Sequence, residues 1–449
     1  MTAPARTAAF HALRAIDSES DDLTTALATS RAHLEDERDR GLAAEIVTGT
    51  LRWQRSLDHL ATHFASRALG KIDRDVLTIL RLSLYQLLHL DRVPASAVVD
   101  DAVNLARSAR KVSATGFVNA VLRTTLRERH RLPLPPRPED PSDSEAALAY
   151  LGITLSHPEW LVSRWLARYG FDACERWVRF NNGTPALTLR ANRLSATRDD
   201  VAAALGEDAI ETEPTRYAPD GLTVVSGNPL RREADGSYFV QDEASQLVPL
   251  MVGARPGERI LDLCASPGGK TLAMAADMAG TGSIVACDVR QKRIDLLRQT
   301  VRLSGAVGVD VVHITPAGPL PFGGGFDRVL VDAPCSGLGT VRRDPDIRWR
   351  RREEQLAGLA GDQLALLRRA AEVVAGGGRL VYATCSSEPE ENEAVVDAFL
   401  RERPDFTLLD ARASAPAPLV PLLDPRGMLR TLPYEHGLEA FFAAALVRR

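Results

Sequence analysis

Two cysteines stand where covalent chemistry on an electron-poor ring could occur: Cys335, in Asp332-Ala333-Pro334-Cys335-Ser336-Gly337, and Cys385, in Ala383-Thr384-Cys385-Ser386-Ser387. Each follows an apolar run that reads as a buried strand, Phe326 to Asp332 and Arg379 to Thr384. The carboxyl edge of a parallel sheet, where α/β proteins hold ligands, would bring them together. A thiolate there can attack a ring carbon, and an electropositive turn or helix N-terminus lowers its pKa toward reactivity. A single cysteine is more often a small buried apolar residue, but the matched pair, with an acid three residues before one of them, points to catalysis. Carbon 5 of a pyrimidine is a poor nucleophile until a thiolate adds at carbon 6. Asp332 would then hydrogen bond or move a proton at the ring nitrogen while the enamine accepts a methyl group, and a base would take the carbon 5 proton so that the thiol can leave. Spacing alone leaves open which cysteine attacks.

A second stretch, Ile260 to Ala273 (ILDLCASPGGKTLA), reads as the cradle of a cofactor. Ile260, Leu261 and Leu263 carry a strand, Pro267, Gly268 and Gly269 turn the backbone tightly, and Thr271 to Ala276 resume at helical spacing. A P-loop is excluded, because neither Cys264 nor Ala265 is the glycine it requires ahead of Gly269-Lys270-Thr271, and there is no GxGxxG fingerprint. A nucleoside cofactor remains. Asp288 closes the next apolar strand, about 20 residues after the turn, where an acid suits two ribose hydroxyls; its plainer role is to cap the following helix.

The elements that must position these groups follow from the whole chain. At 449 residues with 45% hydrophobic content, two to four domains with sizeable cores are expected. No apolar run approaches the length of a membrane span, and the start MTAPARTAAF lacks a signal peptide's apolar segment, so a soluble cytoplasmic enzyme is expected. The five cysteines (Cys174, Cys264, Cys287, Cys335, Cys385) show no CxxC or His-paired spacing, which argues against a metal site or a disulfide framework. A net charge of −4 does not announce a nucleic-acid binder, although local patches can act within an acidic whole.

Up to about Arg131 the pattern is helical: in Asp73 to Leu90, residues Val76, Leu77, Leu80, Leu84, Leu87 and Leu88 share one face. Residues 132–149 open with LPLPPRPEDP, whose prolines mark a linker. Residues 150–237 read as a small α+β module: a helix from Ser156 to Tyr169 with Leu161, Trp165 and Leu166 buried, a strand within Pro185 to Leu194, a helix from Thr197 to Leu205 and a strand from Leu222 to Ser226. Trp160 and Trp165 are expected in packing rather than stacked on bases. From 238 to 449 strands and helices alternate, which predicts a mostly parallel sheet covered on both faces. Its strands are Arg259 to Leu263, Ser283 to Asp288, Asp310 to Ile314, Phe326 to Asp332 and Arg379 to Thr384, followed by a hairpin ending near Ala440 to Val447. A helix from Gln355 to Ala375 is expected to stop at Gly376-Gly377-Gly378.

The set DLCASPGGKT, ACDVRQKR, FDRVLVDAPCSGLGTVRRDPDIRW and LVYATCSSEPEENEAVV resembles the RNA 5-methylcytosine methyltransferases. GTLRWQRSLD at Gly49 to Asp58 and GFVNAVLR at Gly116 to Arg123 resemble the NusB-like RNA-binding bundle, and Leu189-Arg190-Ala191-Asn192 stands where the family shows LRVN in its extra module. Together they narrow the resemblance to the RsmB (Sun, Fmu) type, over nearly the whole chain. It implies three parts: an all-α NusB-like domain (1–131), the linker and α+β module, and a Rossmann-like methyltransferase domain (238–449). The implied reaction is S-adenosylmethionine-dependent methylation of carbon 5 of a cytosine in small-subunit (16S) ribosomal RNA; separately, a monomer with no metal and no membrane partner is expected. It also implies the roles: Cys385 as nucleophile, Cys335 in product release, and Cys264, Ala265, Ser266, Pro267, Gly268, Gly269, Lys270, Asp288, Arg293 and Asp332 around the cofactor.

Two departures from the family pattern stand out. After the third strand the family has Gly-Asp near the adenine, whereas this chain has His313-Ile314-Thr315-Pro316-Ala317, which predicts weaker cofactor affinity. The family's Asp-Gly-Phe-Phe becomes Glu439-Ala440-Phe441-Phe442, so a turn that favours glycine must accept a Cβ. The arginines after the Pro-Cys loop (Arg342, Arg343, Arg348, Arg350, Arg351, Arg352) suggest a grip on RNA phosphates while a base is turned out of its stack. A transfer-RNA methyltransferase and a non-catalytic RNA-binding assembly factor are the alternatives.

Overall fold

The computed structural model describes residues 2–449, which fall into two compact units: residues 2–183 with 341–351, and residues 184–340 with 352–449.

The first unit is helical. Seven helices, Pro4–Asp17, Leu23–Ala32, Glu37–Arg52, Gln54–Ala65, Arg74–His89, Ala95–Ser108 and Thr115–Glu128, enclose a core that includes Phe10, Leu13, Ile46, Leu57, Ile79, Leu84, Val118 and Leu122. Arg74–His89 is the middle of the bundle. Asp73 caps it by accepting the amides of Asp75 and Val76, and Ile79 and Leu82 are buried along with the predicted Val76, Leu77, Leu80 and Leu84. Each fully buried leucine contributes about 1.5–3 kcal/mol, so a helix packed around most of its circumference anchors the rest. Within 132–149, where the prolines predict only a linker, Asp143 caps a short helix, Ser144–Ala149. The helix expected to end at Tyr169 runs from Glu159 to Asn182, bent at Gly170, whose φ is 74°. Trp165 is fully buried and stacks on Trp177 with ring centroids 4.6 Å apart, so packing is its role.

Segment 341–351 belongs to this unit, and it corrects one expectation. Arg348 is fully buried and cannot grip a phosphate. Its guanidinium donates to the carbonyls of Ser156, Asn181 and Val341, to Asn182 Oδ1 and to His157 Nε2. The His157 Nδ1 lies 2.7 Å from the Leu155 carbonyl, so the ring is neutral with its proton on Nδ1, and burial holds its pKa well below the usual value. Arg350 pairs with Asp346 at 2.9 Å.

The second unit holds two sheets. The small one, in the order β2 (Glu211–Pro214), β3 (Gly221–Ser226), β1 (Thr188–Ala191), β4 (Tyr238–Val240), is antiparallel and is covered by the helix Arg198–Glu207, which Thr197 and Asp200 start with a capping box. The large sheet comprises β5 (Arg259–Asp262), β6 (Ser283–Asp288), β7 (Val309–His313), β8 (Phe326–Asp332), β9 (Val374–Thr384), β10 (Phe406–Leu408), β11 (Leu429–Arg430) and β12 (Phe442–Arg448). Its order is β10-β12-β9-β8-β5-β6-β7, with β11 on β12; the pairs from β9 to β7 are parallel, and β12 and β10 are antiparallel. The order turns back between β5 and β8, and a ligand crevice opens beyond the carboxyl ends at such a switch point. Continuous burial from Val329 to Val331 and from Leu380 to Thr384 explains why these strands read as unbroken apolar runs.

A second predicted helix end is also wrong. The helix from Gln355 ends at Ala371, and Gly376, Gly377 and Gly378 lie inside β9. The register between β8 and β9 shifts between Phe326 and Arg328, and Gly377 takes φ 77°. The glycines therefore let the strand bulge rather than cap the helix.

Candidate active site

Three neighbouring strands, β5, β8 and β9, deliver the chemistry at their carboxyl ends. β5 ends at Asp262, and the chain then turns through Cys264 to Gly268, held by Ala265 N to Cys287 O at 2.8 Å and Gly268 N to Ala265 O at 2.7 Å. Gly268 sits at φ 113°, a conformation closed to most side chains, and starts the helix Gly269–Asp277. A Cβ on Gly269 would lie 2.9 Å from Gln241 Oε1. The hollow above is lined by Phe239, Val240, Gln241, Ser245, Asp262, Cys264, Ala265, Ser266, Pro267, Gly269, Lys270, Thr300 and Asp332.

Seven of the ten predicted cofactor residues therefore share one hollow: Cys264, Ala265, Ser266, Pro267, Gly269, Lys270 and Asp332. Gly268, Asp288 and Arg293 are off its lining. Gly268 shapes the turn. Asp288 is buried, accepts the Arg290 amide at 3.1 Å and lies 3.8 Å from Arg293, while the Arg293 carbonyl accepts the Ser266 hydroxyl at 3.1 Å. Arg293 thus holds the turn through its main chain, while Asp288 accepts the amide of Arg290, the residue before the next helix, without capping that helix.

Sequence reasoning missed Phe239, Val240, Gln241, Ser245, Asp262 and Thr300. Asp262 carried a signal, an acid ending an otherwise apolar strand. Its Oδ2 accepts the Thr271 hydroxyl at 2.7 Å, whereas its buried Oδ1 has no partner. Burial first, with Asp332 adding to it, raises its pKa to about 7.

Lys270 donates to Asp332 Oδ2 at 2.7 Å and to Ser245 Oγ at 3.0 Å. Burial opposes its charge, but Asp332 and Cys385 outweigh that and hold its pKa above the ordinary value. On the loops beyond, Cys335 Sγ and Cys385 Sγ are 3.0 Å apart, and the Cys385 amide lies 3.3 Å from Cys335 Sγ. Neither cysteine lines the hollow itself; Asp332, on the same loop as Cys335, does. The hydrogen bond to Cys385, followed by burial, pushes the Cys335 thiol far above its usual pKa. Cys335 is thus the thiol that keeps its proton. Cys264 is also held protonated by burial and neighbouring acids.

Gly339 lets the two loops touch. Its amide donates to the Cys385 carbonyl at 2.9 Å, and its carbonyl accepts the Ala440 amide at 2.9 Å. A Cβ there would lie 2.0 Å from the Ala440 carbonyl oxygen and 2.7 Å from that of Cys385. Gly339→Ala is expected to cost roughly 1–3 kcal/mol of stability and to part the loops, read as a lowered thermal midpoint together with lost methyl transfer. Ala440 is buried and does not take a positive φ, so the alanine found where the family has glycine is accommodated without strain.

Beside this geometry, the family model described as 16S rRNA methyltransferase RsmB/F matches residues 249–447, the NusB family model matches 3–127, and a Methyltr_RsmF/B-like ferredoxin-like domain matches 157–231. The chain is 34% identical to the probable ribosomal RNA small subunit methyltransferase B of Bacillus subtilis, over 92% of this chain and 91% of that protein. The chain belongs to the RsmB/F methyltransferase family. It is also 35% identical to the ribosomal RNA small subunit methyltransferase B of Pseudomonas putida, over 99% of this chain and 98% of that one. The crystal structure of PH0851 is similar with a TM-score of 0.80 at 26% identity, covering 99% of both chains. A methyltransferase homolog protein from Pyrococcus horikoshii gives 0.58 at 27% identity, covering 68% of this chain and all of that one.

Members of this family use S-adenosylmethionine, and the residues present fit it. The glycine turn leaves the space that a Cβ on Gly269 would fill, and the unpartnered Asp262 Oδ1 suits the cofactor's ammonium group. Bound there, the cofactor supplies an electrophilic methyl group. Because the Asp262 proton must leave before the carboxylate can receive a cation, affinity is expected to rise about tenfold per pH unit as pH increases toward the Asp262 value and to level off above about 7. Without cofactor the sign reverses: the folded state holds a proton that the unfolded state has lost, so stability falls as pH rises from near 4 through about 7. Titration calorimetry across this window, with Asp262→Asn flattening the profile, checks it. No helix is long and apolar enough to cross a membrane among the described residues.

Proposed function

We propose that this methyltransferase acts on carbon 5 of a cytosine in small-subunit ribosomal RNA, with Cys385 as the nucleophile. The observation that carries this reading is the pair of sulfurs 3.0 Å apart beside an Asp332–Lys270 ion pair. Methylation at an oxygen or an amine would need no thiol. The Cys385 thiolate bonds to carbon 6, and Asp332 holds or moves a proton at the ring nitrogen, which places the electron pair on carbon 5. Once carbon 5 carries the methyl group, loss of its proton to a base returns the electron pair to the ring and expels Cys385. Cys335, which holds its proton, assists release. Cys264 to Pro267, Gly269, Lys270 and Asp262 hold the cofactor.

The NusB-like bundle and the relatives' names support ribosomal over transfer RNA. Loss of the third-strand acid leaves every reacting group in place. There, His313 Nε2 contacts the Val289 carbonyl and the Thr315 hydroxyl caps its own turn by donating to Ala317 O. The test is incubation of unmodified small-subunit RNA with methyl-labelled cofactor, followed by nucleoside mass spectrometry. The expected product is 5-methylcytidine. Label on another base, or no incorporation while cofactor binding is intact, overturns the reading.

A further inference from the structure

One buried carboxylate touches both cysteine loops. Glu391 is fully buried; its Oε1 accepts the Ser336 amide at 2.7 Å and Gln363 Nε2 at 2.8 Å, and its Oε2 accepts the Ser386 hydroxyl. Ser336 follows Cys335 and Ser386 follows Cys385. The two serine hydroxyls meet at 3.1 Å, and Gln363 is itself held by the Tyr382 hydroxyl at 3.1 Å. Three donors, two of them from the residues that follow the cysteines, converge on this carboxylate.

We propose that Glu391 selects which of the two thiols becomes the nucleophile: it binds the backbone beside Cys335 directly, and its negative charge keeps the proton on that sulfur. The proposal rests on the reading that one of these thiols attacks the base. The carboxylate meets the two loops differently: its Oε1 takes the main-chain amide of Ser336, next to Cys335, whereas its Oε2 takes only a side-chain hydroxyl, that of Ser386, next to Cys385. Glu391 is among the groups that raise the Cys335 thiol, and Cys385 lies close enough to Lys270 to favour its charge. With the sulfurs 3.0 Å apart, a single proton between them suffices, and the carboxylate on one side with the ammonium on the other decides its place. Glu391 is thus a positioning residue that never touches the substrate.

The test needs neither RNA nor cofactor, so it stands apart from whether cytosine is the target. Full-length protein is treated with iodoacetamide near neutral pH and labelling is followed at Cys335 and Cys385 by peptide mass spectrometry, with buried Cys174 as reference. Cys385 is expected to react first. Glu391→Gln keeps the shape and removes the charge, and is expected to speed labelling of Cys335 by roughly tenfold, narrowing or inverting the preference. An unchanged preference in a Glu391→Gln protein with wild-type circular dichroism overturns the proposal. Should that variant fail to fold, Glu391→Asp and Glu391→Ala answer in its place: the preference for Cys385 is expected to persist where a carboxylate remains and to narrow where it is removed, and an equal labelling ratio in the two contradicts the proposal.

Discussion

Replacing Cys385 by alanine is expected to lower methyl transfer by at least about 10⁴-fold while cofactor binding persists, the scale of loss seen when an enzyme's nucleophile is removed. Cys335, 3.0 Å away, does not substitute for it. Its proton is held by the hydrogen bond to its partner, by burial and by Glu391, and with Cys385 gone the last two remain. The check is single-turnover transfer of labelled methyl to unmodified RNA, beside calorimetric cofactor binding. Retention of a tenth of the activity would mean that the other thiol, or none, attacks.

Asp332→Asn is expected to reduce the rate by about 10²–10⁴-fold. The substitution removes two things at once. The ring nitrogen loses the group that can take up or supply its proton, and Lys270 loses the carboxylate 2.7 Å away that keeps a largely buried ammonium charged. Single-turnover transfer of labelled methyl, beside circular dichroism, separates these losses from simple unfolding: the rate is expected to fall while the folded signal is unchanged.

The parts of this site that were legible in the sequence are those made by local pattern. An apolar run, a glycine turn and a helix at Ile260 to Ala273, and apolar runs ending beside Cys335 and Cys385, needed only strand and turn chemistry to be read. What escaped depends on partners distant in the chain. Arg348 looked like a phosphate ligand among other arginines, and its burial follows from carbonyls at Ser156 and Asn181. Glu391 sits in the acidic stretch Glu388-Pro389-Glu390-Glu391, where nothing local marks it, and its partner is Ser336, 55 residues earlier. Gly376 to Gly378 fit a helix C-cap in composition, and only the β8 register revealed a bulge. Asp288 and Arg293 had suitable spacing, but neither lines the hollow: Asp288 accepts the Arg290 amide, and Arg293 meets the turn through its own carbonyl.

The central claim is that Cys385 bonds transiently to a cytosine and Cys335 helps to free it. Cys335→Ala incubated with unmodified small-subunit RNA and S-adenosylmethionine tests this most directly, read on a denaturing gel and by mass spectrometry of the linked peptide. A slow-migrating protein–RNA band in which a methylated nucleotide is attached to Cys385 is the predicted result. Normal product with no band, or a band that survives in the Cys335→Ala, Cys385→Ala double variant, contradicts it.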